Sequence, residues 1–105
     1  MIVKRADRKS RRFKGVDFFV GATGERTMVT LMTFVRGQMV GAHAHPHEQA
    51  GYCMRGRFEL TVDGVSTLIE RDDSYIILGG AQHSYRVLED SLAVEVFSPP
   101  REDYG

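Results

Sequence analysis

Residues 43–49 read HAHPHEQ and hold three of the four histidines of the chain within five positions. Imidazoles and side-chain oxygens are the ligands that a divalent cation takes from a protein. In an extended segment, residues two apart project to the same side, so His43 and His45 could grip one ion together. His83 would have to arrive from a distant part of the chain. Glu48 and Gln49 present two different oxygen donors side by side. From the residues alone the alternatives stay open. Two exposed histidines on an edge strand give the same pattern, and His83 follows a Gly-Gly turn where any polar residue is at home. His47 is either a competing ligand or a loop imidazole.

The elements that would carry these residues read as strands. Residues 16–20, 27–35, 39–45, 51–54, 57–62, 65–70, 75–78, 83–88 and 91–97 are short runs rich in β-branched and aromatic residues, separated by turn signals. Asp63-Gly64 marks a tight hairpin between RFELTV and VSTLIE. No segment keeps a helical period over a dozen residues. About nine strands at this spacing predict a single all-β domain over residues 1–105, a small jelly roll or barrel. Residues 1–14, which include KRADRKSRR, are expected to form a solvated N-terminal arm. Alternation puts Tyr85 on the face of His83 and Cys53 on the parity of Gln49. In SLAVEVF, Ala93, Glu95 and Phe97 share one face while Leu92, Val94 and Val96 share the other. Both faces ask for burial, one in a barrel interior and one against a second sheet or subunit.

Size and charge narrow the function. The chain has 105 residues, 42% of them apolar, enough for one core. Fourteen basic residues balance fourteen acidic ones, which argues against a nucleic-acid binder. Cys53 is the only cysteine, so no internal disulfide can form. No apolar run suggests a leader or a membrane span, and the expectation is a cytoplasmic protein without a membrane partner.

The pattern Gly37, His43, His45, Gln49, Gly56, with intervals of five, one, three and six residues, resembles the first cupin motif. Residues 72–83, DDSYIILGGAQH, resemble the second, with Gly80 and His83 in place. Asp72, Leu78 and Val87 depart from the family pattern at turn and packing positions. The resemblance implies a jelly-roll barrel that binds one divalent metal ion (Ni, Fe, Mn, Co or Zn) through His43, His45, Gln49 and His83. It selects Gln49 over Glu48, leaving three imidazoles and an amide. Such a neutral set does not cancel the charge of the cation, and favours anionic ligands and Lewis-acid chemistry.

EVFSPPREDYG, together with HPHEQAGYCMRG, is similar to small single-domain cupins of pectin degradation that linearise unsaturated uronates. That likeness implies catalytic roles for Glu95 and Arg101, and a substrate pocket including Phe97 and Arg101. Glu95 stands where that group has Asp. Phe97 also reads as plain core, Arg101 as a surface residue, and Tyr85 as a pocket donor or filler. The leading expectation is a redox-neutral enzyme for a small anionic, oxygen-rich molecule. The alternatives are a cupin dioxygenase and a non-catalytic binding domain. The outward Leu92, Val94 and Val96 predict a homodimer.

Overall fold

Alternation in the strands is matched by alternation in burial. In Ser91–Ser98 every second residue is buried and those between are half-buried. The computed structural model describes all 105 residues and contains ten strands. They are β1 (Lys9–Phe13), β2 (Val16–Thr23), β3 (Met28–Phe34), β4 (Met39–His43), β5 (Glu48–Arg55), β6 (Arg57–Val62), β7 (Val65–Glu70), β8 (Ser74–Ile77), β9 (His83–Val87) and β10 (Ser91–Ser98). All pairings are antiparallel. One sheet runs β1-β2-β3-β10-β5-β8 and the other β4-β9-β6-β7. The fold is all-β, two sheets closed on a shared core, and no helix is long and apolar enough to cross a membrane.

The expected arm needs correction. Residues 9–13 form β1, paired with β2 in register from Lys9 opposite Val20 to Phe13 opposite Val16. Lys9, Arg11 and Arg12 gave this segment the look of a solvated tail. Basic side chains are also how an edge strand discourages pairing with other chains, and β1 is such an edge. The expected Asp63-Gly64 hairpin is present, with φ of 47° and 83°, the two positive values that a type I′ turn requires.

The core lies between the sheets. Phe18, Phe34, Phe58, Ile77, Ala93 and Phe97 are among its most buried members. The outer surface of the four-stranded sheet is mixed and polar: Met39, Arg86, Glu59 and Leu68 form one cross-strand row, and Ser84, Thr61 and Ser66 another. Toward one end of the barrel the inner residues change from apolar to polar.

Candidate metal centre

Strand register brings the histidines together. His43 at the end of β4 lies directly opposite His83 at the start of β9. His45 comes from the loop that follows β4 rather than from the strand itself. The turn after β8 holds this loop: the Gly80 N–H donates to the His45 carbonyl at 2.8 Å. Beside it, a side chain at Gly79 would run into the backbone carbonyl of Pro46. The Gly-Gly pair is therefore part of what places His45.

Ring nitrogens of His43, His45 and His83, one from each, lie within 4.8 Å of one another and could hold a metal ion. Each ring also has a nitrogen on a backbone carbonyl: His43 Nδ1 on Gly41 at 2.9 Å, His45 Nδ1 on His47 at 3.0 Å, and His83 Nδ1 on Ala81 at 3.0 Å. A carbonyl can only accept, so each Nδ1 carries the proton. Burial disfavours the imidazolium and lowers all three pKa values, that of His83 to about 4. Each neutral ring then has its single N–H engaged and an Nε2 lone pair left over.

Gln49, on β5, offers an amide oxygen beside this group. Its side-chain nitrogen donates to the Tyr85 hydroxyl at 2.9 Å and to the Glu95 carboxylate. With the nitrogen fixed there, the amide oxygen turns toward the histidines and sits 3.1 Å from His45 Nε2. An oxygen acceptor thus faces a nitrogen acceptor, an arrangement that suits a cation between them. The donor set therefore fits a divalent metal, with the carbonyls behind the rings and Glu95 and Tyr85 behind the amide fixing the orientation. His47 is not a member of the group of mutually close donor atoms formed by His43, His45 and His83, and its Nδ1 is buried without a partner. Glu48 is exposed, on the opposite side of β5 from Gln49.

Glu95 is the buried acid of the site, 1% exposed. Desolvation dominates its environment and pushes its pKa up to about 8, against smaller opposing effects of Tyr85, Tyr75 and Arg101. The Tyr85 hydroxyl donates to its carboxylate at 3.3 Å. The Tyr75 hydroxyl is buried near it without a hydrogen bond of normal geometry. Burial likewise pushes both tyrosine hydroxyls well above their usual pKa.

Arg101 is also buried, with its guanidinium carbon 4.0 Å from the centre of the Tyr104 ring and 5.1 and 5.2 Å from Phe13 and Phe97. Its fork holds Asp103 through Nε at 3.2 Å and Nη2 at 2.8 Å. That pairing keeps the Asp103 carboxyl below its usual pKa. A cavity of about 30 Å³ is bordered by His43, Gln49, His83, Glu95, Phe97 and Arg101 among others. It is large enough for an ion with a water or two, as one water needs about 10–15 Å³ on this measure. Phe97, fully buried, packs its ring 5.7 Å from that of His45, serving the core and the cavity wall together.

Sequence reasoning missed Tyr75, Asp103 and the aromatic cover formed by Phe13 and Tyr104. A signal for Tyr75 was present in Gly51. This glycine lies on the inner parity of β5 between Gln49 and Cys53, opposite Tyr75, and a side chain there would collide with the tyrosine ring. Asp103 gave no such sign, because a two-residue contact in a terminal turn has no spacing rule.

A family model described as Cupin domain matches residues 30–98. The chain belongs to the cupin family. It is 29% identical over 79 residues to the pectin degradation protein KdgF of Dickeya dadantii (strain 3937), covering 73% of this chain and 72% of that protein. The structure of KdgF from Halomonas sp. superposes with a TM-score of 0.87 at 26% identity, over 98% of this cupin and 96% of that chain. An RmlC-like cupin from Shewanella frigidimarina NCIMB 400 gives a TM-score of 0.90 at 24% identity, over 99% and 95%. At that identity the second superposition speaks for the fold alone.

Proposed function

We propose that this cupin is a metal-dependent isomerase that opens and tautomerises a small unsaturated sugar acid. The observation that carries the reading is the convergence of four neutral donors, backed by Glu95, on a cavity that Arg101 also borders. The likeness to KdgF proteins supports the substrate class. His43, His45, Gln49 and His83 would hold one divalent ion. Such an ion supplies a Lewis acid that polarises a bound oxygen.

The remaining roles fall to the chain. Arg101 binds the substrate carboxylate with the fork that Asp103 now occupies. Glu95 takes the proton of the anomeric hydroxyl as the bond from the anomeric carbon to the ring oxygen breaks, leaving an aldehyde and an enolate, and returns that proton to carbon as the enolate becomes a ketone. No atom is gained or lost, so the reaction needs no oxidant. A sugar acid is larger than the cavity, so the Glu102–Tyr104 turn must move aside to admit it. A buried lone thiol, Cys53, suits a reducing compartment, and we assign the protein to the cytoplasm.

The test is incubation of metal-loaded protein with unsaturated galacturonate, following loss of the enol-ether absorbance. Acceleration over buffer is expected, and it should be abolished in Glu95→Gln with metal affinity retained. Metal-loaded protein that leaves the absorbance unchanged would refute the reading.

A further inference from the structure

Arg101 is a buried cation, 5% exposed, and a buried guanidinium left without a partner is costly. Its partner is Asp103, two residues on in the Glu102–Tyr104 turn. Nε donates to one carboxylate oxygen at 3.2 Å and Nη2 to the other at 2.8 Å. This is the side-on, bidentate geometry in which a guanidinium takes any carboxylate. Arg101 forms no other ion pair, although Glu95 borders the same cavity. The two partners differ in exposure. The Asp103 side chain is 51% exposed, so its rotation into water frees the fork.

The turn that carries Asp103 is itself seated. The Tyr104 ring packs on Phe18, Phe97 and Phe13, with ring centres 4.5, 5.4 and 5.6 Å away. The Tyr104 N–H donates to the Arg101 carbonyl at 3.2 Å. Asp103 is therefore presented to Arg101 from a fixed backbone. Its effective concentration is at least in the millimolar range that a short flexible tether gives. A free carboxylate whose only contact is the fork must exceed that concentration to take its place. A ligand that also reaches His43, Gln49, His83 or Glu95, on the same cavity, brings a second contact that the aspartate cannot match.

We propose that Asp103 is a specificity-determining residue, an internal competitor that holds the Arg101 fork until a ligand with a second contact displaces it. The inference rests on the reading of Arg101 as the group that binds a carboxylate. Every carboxylate ligand is weakened by the same factor, set by the fraction of molecules in which the fork is free. A weak ligand then loses its occupancy and a strong one keeps it. Plain monocarboxylates are refused, while a polyhydroxy acid that spans the cavity is accepted. The same pairing keeps the guanidinium partnered between turnovers, so the site is not left with an uncompensated buried charge.

The test uses the full chain after chelator treatment, so that acetate has no metal to bind. Acetate replaces chloride at constant ionic strength while the Arg101 Nε–H resonance is followed by heteronuclear NMR. Asp103→Asn should bind acetate at least about tenfold more tightly than the wild type, as expected where the fork is free in a tenth of the molecules or fewer. Asp103→Ser gives the same readout should the asparagine amide still hold the fork. Acetate should also raise the melting temperature of Asp103→Asn more than that of the wild type. Glu102→Gln removes the same charge from the same turn, and should leave acetate affinity within about twofold of the wild type, because an exposed charge is screened. Equal acetate affinity in the wild type and both Asp103 variants, including no binding to any, would overturn the proposal. So would a gain in Glu102→Gln as large as that in Asp103→Asn, which would assign the effect to net charge. Unsaturated galacturonate left unchanged by the metal-loaded protein would refute the proposed reaction alone, because the acetate titration involves neither metal nor turnover.

Discussion

The two faces of strand β10 reverse the usual order of a sheet. Its inward residues are Ala93, Glu95 and Phe97, and its outward residues are Leu92, Val94 and Val96. The acid is inside and the unbroken apolar row is outside. A buried carboxyl is tolerated only where its oxygens are partnered, and Tyr85 and Gln49 are the partners here. The inner face thus gathers its polar groups into one constellation and leaves the rest to packing. The outer face has no such constellation, and its side chains lose water only if something covers them. Position in the barrel has therefore gathered the polar groups on one face and left the other an apolar surface.

The largest expected effect tests packing. Phe97→Ala should cost about 3–5 kcal/mol in urea unfolding, because a fully buried aromatic leaves a cavity. Val96→Ala, its outward neighbour, should cost about 1 kcal/mol. Similar losses at both positions would break the contrast between the faces.

Next in size is metal affinity, measured by competition with a chromophoric chelator. His83→Ala removes a donor fixed from across the barrel and should weaken binding by at least about 100-fold, or roughly 2.7 kcal/mol. His47→Ala should change it less than about threefold. A large effect of His47 would draw it into the donor set and enlarge the inner constellation.

Stability of the chelator-treated protein should depend on pH in two opposed ways. His83 has a pKa of about 4 when folded and an ordinary value of 6.5, so the unfolded chain takes up a proton that the native state refuses. Stability contributed by His83 is present above pH 6.5 and is lost as pH falls toward 4, and His43 and His45 act in the same sense. Glu95 is raised from 4.5 to about 8, so its contribution is present below 4.5 and is lost as pH rises to 8. The optimum should lie near pH 6.5, with a decline of about 1–2 kcal/mol by pH 8. Glu95→Gln should remove the alkaline decline. If the decline persists in that variant, Glu95 is not its source.

A further contrast separates two tyrosines on the inner face. Tyr85→Phe removes a hydroxyl that serves both Gln49 and Glu95, and should cost about 1–3 kcal/mol. Tyr75→Phe removes a buried hydroxyl near Glu95 that has no hydrogen bond of normal geometry, and should change stability by less than about 1 kcal/mol. Thermal melts of the two variants, side by side, measure how far polar satisfaction rather than burial governs the site.

Much of the fold was legible because alternation and turn chemistry are local. The Asp63-Gly64 turn and the strands on either side of it could be read directly. So could the division of β10 into two faces, since parity needs no partner strand. The strand at residues 9–13 was hidden because its cationic residues suit a tail and an edge strand equally. Gln49 could be told from Glu48 by motif spacing and parity, and the structure places Gln49 inward and Glu48 outward. The reach of Asp103 to Arg101 could not be read, because it depends on how the terminal turn folds back over Phe13 and Phe97.

The sequence by itself determined the class of fold and the parity of Gln49 and Glu95 on their strands. These follow from backbone geometry over a few residues. Only the tertiary structure decided that β4 and β9 would be neighbours, so that His43 meets His83. It alone set the amide of Gln49 between Glu95 and Tyr85, from opposite sheets, with the oxygen toward the imidazoles. The reason is one of range. Alternation says which way a side chain points, but which distant strand it points at depends on how both sheets close around a common core.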